Sequence, residues 1–117
     1  MQNKQAELLQ KLTKEAPLDA IQDYLEACLS LRGFDGQGAK EKMLLLLEEV
    51  GELAKAIRKE DASSSIDYAR ITNYDSVESE VADVFIVLVS LCNLLHIDLF
   101  DAFLEKEKVN VERNWSR

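Results

Sequence analysis

Met43-Leu44-Leu45-Leu46-Leu47-Glu48-Glu49-Val50-Gly51-Glu52-Leu53-Ala54-Lys55-Ala56-Ile57 is the stretch on which the reading of this chain turns. Leu46, Leu47, Val50, Leu53, Ala54 and Ile57 recur at spacings of three and four, which predicts an amphipathic helix with this stripe toward a core. Three carboxylates, Glu48, Glu49 and Glu52, fall within five residues of that helix. Glu49 and Glu52 are three apart and so project from neighbouring positions on one face, beside the stripe. Leu44 to Leu47 run in succession, more than a one-sided stripe requires.

A second acidic pair, Glu80 and Asp83, has the same spacing and opens Val81–Leu95, the most apolar segment of the chain. Asp83 stands among Val81, Ala82, Val84, Phe85, Ile86, Val87 and Leu88, with no Lys or Arg within four residues. A carboxylate withdrawn from water costs several kcal/mol unless something compensates it. Taken alone, Asp83 would face a polar edge or meet a cation from another helix. Together with Glu49, Glu52 and Glu80 it makes four carboxylates on two helices expected to pack side by side, and these would repel one another. A divalent cation resolves that conflict. An all-oxygen donor set favours Mg²⁺ or Mn²⁺ over Zn²⁺, and Mg²⁺ retains waters and reaches substrate phosphates, so a phosphorylated ligand is implied.

Composition sets the outer bounds. A chain of 117 residues reads as one domain, residues 1–117, with 1–16 as an N-terminal arm. One Pro, four Gly and 31% charged residues favour helices. A net charge of −8 argues against a nucleic-acid surface, although an acidic protein still takes polyphosphates through a metal ion. Cys28 and Cys92 lie in apolar helical contexts and read as small packed hydrophobes, not as a disulfide or a zinc site. The first residues lack the order of a signal peptide, and Val81–Leu95 is too short to span a bilayer. The expected location is the cytoplasm, with no membrane contact.

The remaining helices follow from their punctuation. Pro17 suits a helix start, Leu18, Ile21, Leu25, Cys28 and Leu29 give a buried face, and Gly33 stops it. Gly33 to Gly38 is a loop, read either as a plain helix–helix connection or as a lip over a ligand with Phe34 available to stack. A second helix runs from Ala39 to about Lys59, with Gly51 as either a close-packing point or room for a ligand. Residues 61–73 are a polar connection. Asp75 with Glu78 offers an N-cap for a third helix reaching about His96, enclosed on most sides. Asp98 caps a fourth, Leu99 to about Trp115, on which Lys106, Asn110 and Arg113 form a stripe suited to phosphate oxygens, or else a solvated face paired with its glutamates. The pattern predicts an all-α four-helix bundle. Its surplus apolar surface predicts completion by oligomerisation, as a homodimer before a tetramer.

Glu48-Glu49-x-x-Glu52 followed by Glu80-x-x-Asp83, with Leu47-Glu48-Glu49-Val50-Gly51-Glu52-Leu53-Ala54 around the first half, resembles the MazG-like all-α nucleoside triphosphate pyrophosphohydrolases. The resemblance covers Ala39 to the C-terminus, although the connection Leu53–Ser79 is long for the family. It implies cleavage of a nucleoside triphosphate to the monophosphate and pyrophosphate. By motif position it implies Mg²⁺ on Glu49, Glu52, Glu80 and Asp83, with Glu48 orienting or deprotonating the attacking water. Lys106, Asn110, Arg113, Trp115 and Phe34 are the candidate substrate residues. A phosphoribosyl-ATP pyrophosphohydrolase, a dUTPase-like enzyme and a silent metal-binding helical module are the competing readings.

Overall fold

The computed structural model describes residues 3–61 and 76–115. They form α1 (Lys4–Gln10), α2 (Leu18–Leu31), α3 (Ala39–Glu60), α4 (Val77–Leu94) and α5 (Leu99–Val111), and no strand occurs among the described residues. The all-α expectation holds. Residues 62–75 lie outside the described residues, and with them most of the expected polar connection and the Asp75 cap.

The chain divides into two compact units, Met1–Gly36 with Cys92–Arg117, and Gln37–Leu91. In the first, the segment expected as an arm contains a helix. Asn3 Oδ1 caps α1 by accepting from the Ala6 N–H at 3.2 Å, and Arg32 Nε donates to Gln5 Oε1 at 2.7 Å, fastening α1 to the end of α2. Helix α2 packs against both α1 and α5 and buries Gln22, Leu25 and Cys28.

Two helix stops in this unit use the same backbone device. Past α2, Phe34 N–H donates to Leu29 O at 2.9 Å and Gly33 N–H to Ser30 O at 3.0 Å, with Gly33 at φ 86°. Past α4, Ile97 N–H donates to Cys92 O at 2.9 Å and His96 N–H to Asn93 O at 3.2 Å, with His96 at φ 58°. Both are Schellman closures, which need a left-handed residue at the turn. Glycine fills that position at one stop and histidine at the other.

In the second unit, α3 opens with Glu41 Oε1 accepting from the Gly38 N–H at 3.4 Å and ends with Arg58 and Lys59, placed to offset the helix dipole. The hydroxyl of Ser76 accepts from Ser79 N–H at 3.1 Å at the start of α4.

Burial corrects the expected core stripe of α3. Lys42 and Ala56 are buried and Leu46, Glu49 and Leu53 half-buried, whereas Met43, Val50, Ala54, Ile57 and Leu47 (57% exposed) face outward. The apolar stripe is therefore split lengthwise, one half turned in and the other exposed among the described residues. Helix α4 departs from expectation in the same way. Val89 and Ser90 are buried, but Val81 (51% exposed), Phe85 and Leu88 are not. Cys28 and Cys92 are buried free thiols, as their contexts suggested.

Candidate metal centre

Glu49 sits on the inward face of α3, in the register Lys42, Leu46, Glu49, Leu53, Ala56. Glu80 and Asp83 occupy the first turns of α4, three residues apart and hence on one side of it. One carboxylate oxygen from each of Glu49, Glu80 and Asp83 lies within 4.8 Å of the other two. Glu80 is 4% exposed, and Glu49 and Asp83 are half-buried.

Three carboxylates this close in a partly buried space repel one another, and a shared divalent cation would relieve that repulsion. Oxygens this close can share one ion at about 2.0–2.6 Å after small side-chain rotations, the range of Mg²⁺ and Ca²⁺. The donor set is all oxygen, without the thiolate or imidazole that structural zinc prefers. The residues fit a hard divalent cation.

Glu48 and Glu52 stand apart from this group. Both are exposed, and Glu52 Oε1 lies 3.5 Å from Lys55 Nζ one turn along the helix. The structure thus brings together three of the four expected ligands and leaves Glu52 and the expected base Glu48 on the outer side of α3.

Residues 37–113 match the model of the MazG nucleotide pyrophosphohydrolase domain. This chain belongs to the MazG family.

The MazG match spans α3, α4 and α5 and includes all five acidic residues; α1, α2 and Phe34 precede it. It supports nucleotide pyrophosphohydrolase chemistry as the class of activity. No curated protein matches the chain. Among the described residues no single helix is long and apolar enough to cross a membrane.

The expected substrate residues all lie in the first unit of this MazG protein. Helix α5 ends at Val111, short of the expected Trp115, so Lys106, Asn110 and Arg113 are not one continuous helical stripe. Asn110 Nδ2 donates to Glu107 Oε2 at 2.7 Å, and Lys106 is exposed. Beyond the helix, the Arg113 guanidinium lies 5.5 Å from the Trp115 ring centroid, a cation–π stack, and Trp115 Nε1 donates to Asn110 O at 3.2 Å. Trp115 is nevertheless 66% exposed, and Phe34 is exposed just past the stop of α2.

A cavity of about 290 Å³ between the starts of α2 and α5 is lined by Pro17, Leu18, Asp19, Asp98, Phe100 and Asp101. Its three carboxylates would repel a polyphosphate.

One residue passed unnoticed in the sequence. Lys42 is 7% exposed, and burial holds its ammonium below the ordinary lysine pKa, with Glu41 pulling the other way. The available signal was its seven-residue spacing from Glu49, which places both on one helix face.

Proposed function

We propose that this MazG protein is a Mg²⁺-dependent nucleoside triphosphate pyrophosphohydrolase, releasing nucleoside monophosphate and pyrophosphate. The convergence of Glu49, Glu80 and Asp83 within a MazG domain is the observation that carries the reading. These three carboxylates hold the ion. Glu52 joins them by leaving Lys55, and an exposed pair of that kind is worth only about 0–1 kcal/mol.

When bound, the ion neutralises phosphate charge and makes phosphorus easier to attack. Glu48 accepts a proton from the attacking water as its oxygen bonds to phosphorus. The bridging bond between the α and β phosphates breaks, and its electron pair leaves with pyrophosphate. Lys106 and Arg113 bind phosphate oxygens, Asn110 donates from its amide, and Trp115 and Phe34 offer stacking surfaces to the base.

The uncovered apolar half of α3 and the exposed Val81, Phe85 and Leu88 of α4 favour a homodimer that pairs these helices, with a tetramer as its extension. The cytoplasm, with its nucleotide pool, suits this activity.

Pyrophosphate release should be measured across canonical and modified nucleoside triphosphates and phosphoribosyl-ATP, with and without Mg²⁺. Mg²⁺-dependent release from at least one supports the proposal. No release from any of them favours a silent metal-binding module.

A further inference from the structure

Gln37–Leu91 holds one buried carboxylate and one buried cation among the described residues, Glu80 and Lys42. The carboxylate has its explanation in the metal centre. The cation has none yet. Lys42 Nζ donates to the neutral Gln37 Oε1 at 3.1 Å and makes no ion pair among the described residues.

This position is costly on two counts. An ammonium withdrawn from water needs an opposite charge to offset its desolvation, and an amide oxygen supplies only part of that. Lys42 also lies near the start of α3, where the helix dipole disfavours positive charge. Methionine would fill the same volume without either cost. A buried lysine kept at such a place is suited to an anion that arrives from outside.

Its register names the anion. Lys42 and Glu49 share the inward face of α3, separated by two turns, about 10 Å along the axis. The Lys42 ammonium lies toward Gln37, ahead of the start of α3, so a substrate held at the metal centre would lay its terminal phosphates back along this face to reach it. We infer that Lys42 is a binding residue for the terminal phosphates of the substrate, the part that leaves as pyrophosphate, with Gln37 holding its ammonium until they arrive. This rests on the pyrophosphohydrolase reading for its substrate class. A carboxylate from a second copy is the competing anion, and it predicts a different experimental result.

The test is calorimetric binding of inorganic pyrophosphate with Mg²⁺ to the full chain, comparing wild type, Lys42→Met and Lys42→Arg. Thermal unfolding and light scattering of each variant run alongside. The inference expects Lys42→Met to stay folded with unchanged association and to bind pyrophosphate about tenfold or more weakly, while Lys42→Arg retains most of the affinity. Equal affinity in wild type and Lys42→Met overturns it, as does absence of binding by the wild type. A changed association state with unchanged affinity overturns it in favour of a partner carboxylate.

The two readings fail separately. Nucleotide cleavage by a wild type whose pyrophosphate affinity ignores Lys42 removes the residue and leaves the enzyme. Lys42-dependent pyrophosphate binding without cleavage of any nucleotide does the reverse.

Discussion

Gln22 and Asn93 hold each other reciprocally. Gln22 Nε2 donates to Asn93 Oδ1 at 2.9 Å, while Asn93 Nδ2 donates to the backbone oxygen of Gln22 at 2.9 Å. The Gln22 side chain also donates to Ile97 O and accepts from Leu99 N–H, each at 2.9 Å. One amide thereby fastens α2 to the turn between α4 and α5. Gln22→Ala leaves several part-buried polar groups without partners and should cost about 1–3 kcal/mol. Chemical denaturation reads this directly; a loss below about 0.5 kcal/mol, the level of an ordinary surface substitution, would show the clasp to be dispensable.

The paired helix stops give a prediction of opposite signs. A non-glycine residue at positive φ costs about 1–2 kcal/mol, less for a short polar side chain. Gly33→Ala should therefore destabilise by about 1 kcal/mol, and His96→Gly should stabilise by about 0.5–1 kcal/mol. Denaturation midpoints of the two variants moving in the same direction would contradict the shared geometry.

Metal binding separates Glu49 from Glu52. Glu49→Gln removes one of the converged charges, and hydrolysis should fall about 100-fold or more. Mg²⁺ should raise the melting temperature of the wild type, and that rise should disappear in Glu49→Gln. Glu52→Gln should cost less on both readouts, because its carboxylate reaches the ion only after leaving Lys55.

Alkaline pH pits Lys42 against Cys92. Burial lowers the Lys42 pKa from 10.5, so below that value the unfolded chain binds more protons and stability rises as pH climbs toward it. Burial raises the Cys92 pKa from 9.0, so above that value the unfolded chain gives up its proton first and stability falls. Lys42→Met should abolish the rise and keep the fall. Denaturation midpoints taken from pH 7 to 10 check both arms, and a rise that survives the substitution would assign it elsewhere.

Assembly is tested at Gly51 and Leu47. A Cβ at Gly51 would meet nothing within 4 Å among the described residues, so Gly51→Ala should add up to about 1 kcal/mol to the isolated subunit. On the proposed dimer it crowds the facing helix and weakens association. Leu47→Lys should do so more strongly. Light scattering of wild type at about 13 kDa, with both variants unchanged, would remove the dimer.

Much of the fold was legible because helix signals are local. Pro17, Gly33 and Asp98 mark ends wherever the chain is folded, and Glu80 with Asp83 share a face by spacing alone. The side of α3 that turns inward is a different kind of fact. Leu46 and Leu47 satisfy the same periodicity, and only packing decides that Leu46 is half-buried while Leu47 is exposed. That choice also brings Glu49 to Glu80 and Asp83 and leaves Glu52 beside Lys55. The burial of Lys42 was hidden for the opposite reason, since a lysine in the first turns of a helix reads as solvated.

The split of α3 has a genetic consequence. On the proposed mechanism, a change at Glu49 would disable only the centre of the chain that carries it, so a wild-type copy in the same cell would supply the missing activity and the lesion should behave as recessive. Changes at Leu47, Val50 or Ala54 act on whichever chain packs against them. On the proposed dimer, a variant there that still pairs would spoil wild-type subunits as well. Dominance should then alternate along Glu48–Ala54 with the turn of the helix.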